Sequence, residues 1–253
     1  MFTRVLPVTF LCFASLAVFA QDNRPATFDY DESDKQLQNL ISFPKEVTGK
    51  VELILSCVSR IQPNGKMDET GCYQMNQYEQ AFASQVIRAA RKARMRPAII
   101  DGKAREIYLQ FRVEFIREKA LPKKADDEKG KKKKKEEEQE IVDVGRALHL
   151  YLNPGYEENV LEYGYEHIAG QRVIGKEPWQ DICPSRAKYT LWVRAFLSEE
   201  GEAASPTIEF GNGIRPVSNC LEAIKDTIIT SQYAPAMAEG VPVPSTYIEL
   251  FGN

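Results

Sequence analysis

Histidine is nearly missing from this 253-residue chain, which has only His149 and His167. The two stand eighteen residues apart, with no cysteine or carboxylate cluster at ligand spacing. That pattern argues against a zinc-type centre and against nucleophile activation by an imidazole. No Gly-x-Ser-x-Gly elbow occurs. Gly211-Asn212-Gly213 opens like a dinucleotide loop, but Pro216 stands where the third glycine belongs, so it reads as a turn. Carboxylates are plentiful, yet nothing marks two of them as an acid/base pair. Excess charge is lacking too. Thirty-three Lys and Arg against 36 Asp and Glu leave a net charge of −3, which argues against nucleic acid as the main partner. Beyond residue 20 no apolar run reaches the ~20 residues of a membrane-spanning helix. The expectation is a non-enzymatic protein without a cofactor.

Residues 1–20 read as an export signal: Arg4 supplies the positive start, Val5 to Phe19 the apolar run, and Val18-Phe19-Ala20 a small-x-small cleavage site. A retained anchor is the alternative. Removing the signal leaves Cys57, Cys72, Cys183 and Cys220, an even set that points to disulfides in a periplasmic protein. Four cysteines allow three connectivities.

A passage is spelled twice. Arg96-Pro97-Ala98, three residues and Gly102 recur as Ala234-Pro235-Ala236, three residues and Gly240. An apolar-faced helical segment precedes each copy and an alternating segment follows. A fixed order occurring twice means two copies of one folding unit. In the first, Val51, Leu53, Leu55 and Cys57 alternate as a strand, and Pro63-Asn64-Gly65 turns. Met67 to Met75 returns as a second strand. Phe82, Val86, Ala90 and Ala93 share a helical face, which Pro97 stops. Ile107, Leu109, Phe111, Val113 and Phe115 then alternate as a third strand. The second unit runs through Tyr189–Leu197 (apolar on both faces, hence expected to be covered), a return over Pro206–Phe210, a helix capped by Ser218 or Asn219, and a closing strand over Val243–Phe251. Residues 141–182 show no counterpart in the first unit. The repeat favours one disulfide per copy. A two-residue loop at Asn64-Gly65 sets Cys57 opposite Cys72, whereas a three-residue loop shifts the register by one. Cys183 and Cys220 pair by elimination.

Each unit resembles the C-terminal domain of TonB-family proteins. The resemblance is carried by Gly65, the Ala- and Arg-rich helix 81–94, Met95, Pro97-Ala98, Gly102 and the strand through Phe115. In the second copy it is carried by Gly201, Tyr233, Pro235-Ala236, Gly240, Val241-Pro242-Val243 and Phe251. It spans residues 45–117 and 185–253. The fold it implies is α+β, with two β-β-α-β domains, each a small antiparallel sheet packed on a helix. The domains are expected at 21–120 and 141–253, the second with an N-terminal extension, joined by a charged Lys/Glu linker at 121–140. The family's energy transducers carry a polar Ser/His motif in an uncleaved anchor and then a Pro-rich spacer. Neither is present here, so the binding fold is expected without the energy-coupling parts.

The function that follows is an exported protein-interaction module of the cell envelope, associated with envelope transport. Its partner is expected to be an envelope protein or an extended peptide that adds a strand to an open sheet edge. The strand with Ile107, Leu109, Gln110, Phe111, Arg112 and Val113 is the candidate edge, being long and free of proline; the alternative is that residues 141–152 or the second unit cover it. Arg88, Arg91, Lys92 and Arg94 form a candidate anion face, with Arg96 beside them. A second class of function is a cell-wall or membrane-surface binder using the lysines of 121–140. A hydrolase with an unrecognised site is the least supported.

Overall fold

The computed structural model describes residues 23–118, 147–153, 155–183 and 189–252. The expected signal at 1–20 and the charged segment 121–140, with the surface contact expected of it, lie outside the described residues. The fold is α+β, and its order of elements occurs twice. The first copy comprises α1 (Leu37–Leu40), β1 (Val51–Ile61), β2 (Met67–Cys72), α2 (Gln77–Ala90), β3 (Ala98–Ile100), β4 (Lys103–Arg105) and β5 (Ile107–Arg117). A connecting stretch holds β6 (Ala147–Tyr151), α3 (Glu157–Tyr163), β7 (Gln171–Val173) and α4 (Pro178–Ile182). The second copy comprises β8 (Tyr189–Leu197), β9 (Ala203–Gly213), α5 (Ser218–Thr230), β10 (Tyr233–Ala234), β11 (Ala236–Ala238), β12 (Val241–Val243) and β13 (Ser245–Gly252).

In both copies the last strand pairs antiparallel with the first, and the first with the second: β5-β1-β2 and β13-β8-β9. The repeated Pro-Ala passages open two small hairpins, β3–β4 and β11–β12. Each turns with positive φ at both central residues, Asp101-Gly102 and Glu239-Gly240, as a two-residue type I′ loop requires. Gly65 and Gly201 also match. Both have positive φ, and a Cβ would collide with the carbonyl oxygen of Met95 in the first copy and of Tyr233 in the second.

Side-chain alternation places one core behind each sheet. Leu55, Leu109, Phe111 and Phe115 face Phe82, Val86 and Ala89 of α2, all buried. Leu191, Val193 and Leu197 face Ile224 and Ile228 of α5 in the same way. The acidic leader contributes more than its composition indicates. Phe28 stacks edge-on against Phe111 at 5.5 Å, Phe43 does so against Phe115 at 5.5 Å, and Leu37 is fully buried. Each such side chain adds ~1.5–3 kcal/mol of burial.

Three local expectations are corrected. The first helix covers 77–90 rather than 81–94. Asn76 caps it by accepting from Glu79 N at 2.9 Å, while Glu79 accepts from Met75 N at 2.6 Å. It ends at Ala90 because residues 94–96 turn extended, with backbone bonds to Lys35, Gly65 and Thr27. The second helix takes Val217 at its N-cap and has no side-chain cap, so neither Ser218 nor Asn219 fills that role. β8 is covered on one face only, since Trp192 and Phe196 are exposed.

The connecting stretch does have a counterpart. Leader residues Arg24 and Thr27 bridge Ile99 and Arg96; Ile168 and Gln171 bridge Met237 and Ala234 at the same spacing. α1 packs on α2, and α4 packs on α5. The repeated unit therefore begins with an extended leader and a short helix. The two leaders also touch, because the Gln171 side-chain amide accepts from Ala26 N at 2.6 Å and donates to Ala26 O at 3.0 Å. The residues are equivalent in fold and differ in sequence, which is why the repeat is invisible there.

Candidate functional site

The candidate edge on β5 is not open. β7 pairs with it at Ile107 and Tyr108, and β6 pairs with it from Arg112 to Ile116. Leu109, Phe111 and Val113 point into the core and are buried. In the gap between β6 and β7 the Gln110 side-chain amide donates to Ile248 O of β13. A long proline-free edge is a template for unwanted pairing, and here the chain covers it with its own connecting stretch. The equivalent edge of β13 is covered by side chains. Asn159 donates to Thr246 O at 2.7 Å and accepts from Thr246 N at 3.1 Å.

The four-cation face is reduced to three. Arg88, Arg91 and Lys92 are exposed at the C-terminal end of α2, where the helix dipole favours cations. Arg94 is half-buried, and its guanidinium donates to Ala93 O at 2.9 Å. Arg96 pairs with Asp31 at 2.8 Å and Asp29 at 3.2 Å. His149 is exposed on β6, while His167 is buried with its ring Nδ1 against Gly164 O. No group of metal ligands forms among the described residues. Both disulfides pair as expected, but the two-residue loop at Asn64-Gly65 does not form. Ile61 faces Met67 and Gln62 N donates to Lys66 O at 2.9 Å, the register of a three-residue loop, and a bulge between Val58 and Arg60 then brings Cys57 opposite Cys72. Cys183–Cys220 ties the end of α4 to α5.

The two sheets are locked together at Arg172, a residue no motif singled out. β7 lies in the first sheet, paired to β5 on one side and to β10 of the second copy on the other. From it Arg172 reaches Glu249 of β13 with two bonds, both 2.7 Å, and Glu177 with a third, also 2.7 Å. The Arg172 and Glu249 side chains are only 3% and 4% exposed. Tyr247 donates to Glu249 at 2.6 Å and Trp179 to Glu177 at 2.7 Å. Burial opposes the charge on Arg172, but the attraction and hydrogen bonds of Glu249 outweigh it and hold the guanidinium above its ordinary range. Burial, and then the Glu249 carboxylate, push the hydroxyls of Tyr108, Tyr233 and Tyr247 up. β6 and β7 complete the first sheet, and the clamp joins that sheet to the second.

Docked this way, the outer faces of the two sheets enclose a cleft of about 620 Å³. That volume is within the range of small-ligand sites. The first copy supplies Val58, Cys72 and Tyr73; the second supplies Trp192, Ile248 and Leu250. Trp192 is 39% exposed, a large apolar surface left to solvent. Two cations stand in this lining, Arg112 and Arg194. Arg194 is engaged already, with Glu209 at 3.2 Å and the Tyr156 ring 4.1 Å from its guanidinium carbon.

Comparison with protein-family models, with characterised proteins and with solved structures finds no match for this chain. Among the described residues no helix is long and apolar enough to cross a membrane. The cleft residues carry one sequence signal, the apolar outer position Trp192 on a strand whose pattern is apolar on both faces. Arg112 had been singled out for its backbone, whereas its place in the cleft depends on its side chain.

Proposed function

We propose that this chain is an exported, non-enzymatic interaction protein of the cell envelope, built of two TonB-C-like repeats. In this reading the repeats act together, seating an extended and largely apolar segment of a partner protein in the cleft between them. The observation that carries the reading is a 620 Å³ apolar cleft with walls from both copies and the exposed indole of Trp192 in its lining. Indole surface flanked by charged groups is typical of binding hot spots. The two disulfides suit an oxidising compartment. The order hairpin, helix, Pro-Ala turn and closing strand in both copies is the order that the TonB-C resemblance implies.

A photo-crosslinking residue at position 192 tests this, with Ile229 as the control, since it is 47% exposed on α5. In envelope extract the 192 variant is expected to capture a protein through an extended apolar segment, located by mapping the adduct. The 229 variant is expected to capture none. Equal capture from both positions would refute a role for the cleft.

A further inference from the structure

We infer that the cleft reads a carboxylate as well as apolar surface, and that Arg112 is the group that reads it; this rests on the peptide-binding reading above. Arg112 lies on the outer face of β5, half-buried, between Gln110 and Glu114. Its guanidinium is laid over Gly155, where a Cβ would collide with it, so the glycine makes room for this one placement. Its Nε is buried with no acceptor among the described residues, and a buried donor left unpaired calls for a partner.

The neighbouring acids are occupied. Glu209 is bonded to Arg194, and Glu114 accepts from the Tyr151 hydroxyl at 2.8 Å. Of the two cations lining the cleft, Arg112 is the one with no carboxylate partner among the described residues. A planar guanidinium is shaped for bidentate capture of a carboxylate through its two terminal amino groups. The occupant is thus an apolar extended peptide bearing one acidic group, either an Asp or Glu side chain or a free C-terminal carboxylate.

The test uses the full chain and fluorescein-labelled short peptides of alternating Leu and Thr, with anisotropy as the readout. One peptide carries an internal Glu and an amidated C-terminus. A second carries Gln in that place, also amidated. A third has no acidic side chain but a free C-terminal carboxylate. One or both carboxylate peptides should bind roughly ten-fold tighter than the Gln peptide, the gain of a charge-assisted pair in a partly dry site. Which of them does so names the source of the carboxylate. The preference should shrink with added salt, fall to near parity in a folded Arg112→Gln variant and survive in part in Arg112→Lys. Equal binding of acid and amide peptides by the unmodified chain overturns this inference and leaves the peptide reading standing. So does an undiminished preference in Arg112→Gln. Failure of every peptide to bind overturns both readings.

Discussion

Replacing Arg172 by Met should unfasten the two sheets at a measurable cost in stability. The substitution keeps an unbranched apolar stem and removes three hydrogen bonds, two to Glu249 and one to Glu177. Glu249 then remains 4% exposed with only the Tyr247 hydroxyl as a partner. Leaving one member of a buried pair uncompensated costs about 3–5 kcal/mol. That is a large share of the ~5–15 kcal/mol by which a folded domain is stable. Urea unfolding followed by tryptophan emission reads the change. Trp179 is the local reporter, because it donates to Glu177 and stacks edge-on against Phe251 at 5.2 Å. The double variant Arg172→Met with Glu249→Leu removes both charges and should recover most of the loss, since a buried pair is often replaceable by apolar groups of similar volume. A loss below about 1 kcal/mol in the single variant, or a double variant no better than the single one, would refute the clamp as described.

Two other outcomes are expected. In alkali, burial and then the hydrogen bond to Glu114 push the Tyr151 hydroxyl from its ordinary 10.0 up to about 12, and Tyr108, Tyr233 and Tyr247 are raised as well. A raised folded-state value gives stability that is complete below the unfolded value and lost as pH rises past it, so the urea midpoint should hold to about pH 10 and fall from there towards 12; a midpoint that is flat through that window contradicts the burial of these hydroxyls. A fragment ending at residue 118 should self-associate in size-exclusion chromatography, because it exposes the long β5 edge that β6 and β7 otherwise pair; a monomeric, stable fragment would show that the cover is dispensable.

The facing of Cys57 and Cys72 depends on a bulge between Val58 and Arg60, but period-two alternation in Val51–Cys57 and Ile107–Phe115, helical spacing in Phe82–Ala93 and the doubled Pro-Ala-x-x-x-Gly determined the α+β class, the repeat and the β1–β2 hairpin. Those features are local, since each depends on residues within one or two elements and on turns whose φ only certain residues accept. The tertiary structure alone decided which edges stay open, where the leaders pack and where the cleft lies. β5 looked free because its cover comes from 147–151 and 171–173, stretches with no repeated spelling. Phe28 and Phe43 looked like part of a polar leader until the core they fill was assembled. Arg172 and Glu249, 77 residues apart, become a pair only when two sheets dock. Arg112 and Trp192 come to line one cleft by the same docking, which no spacing along the chain encodes.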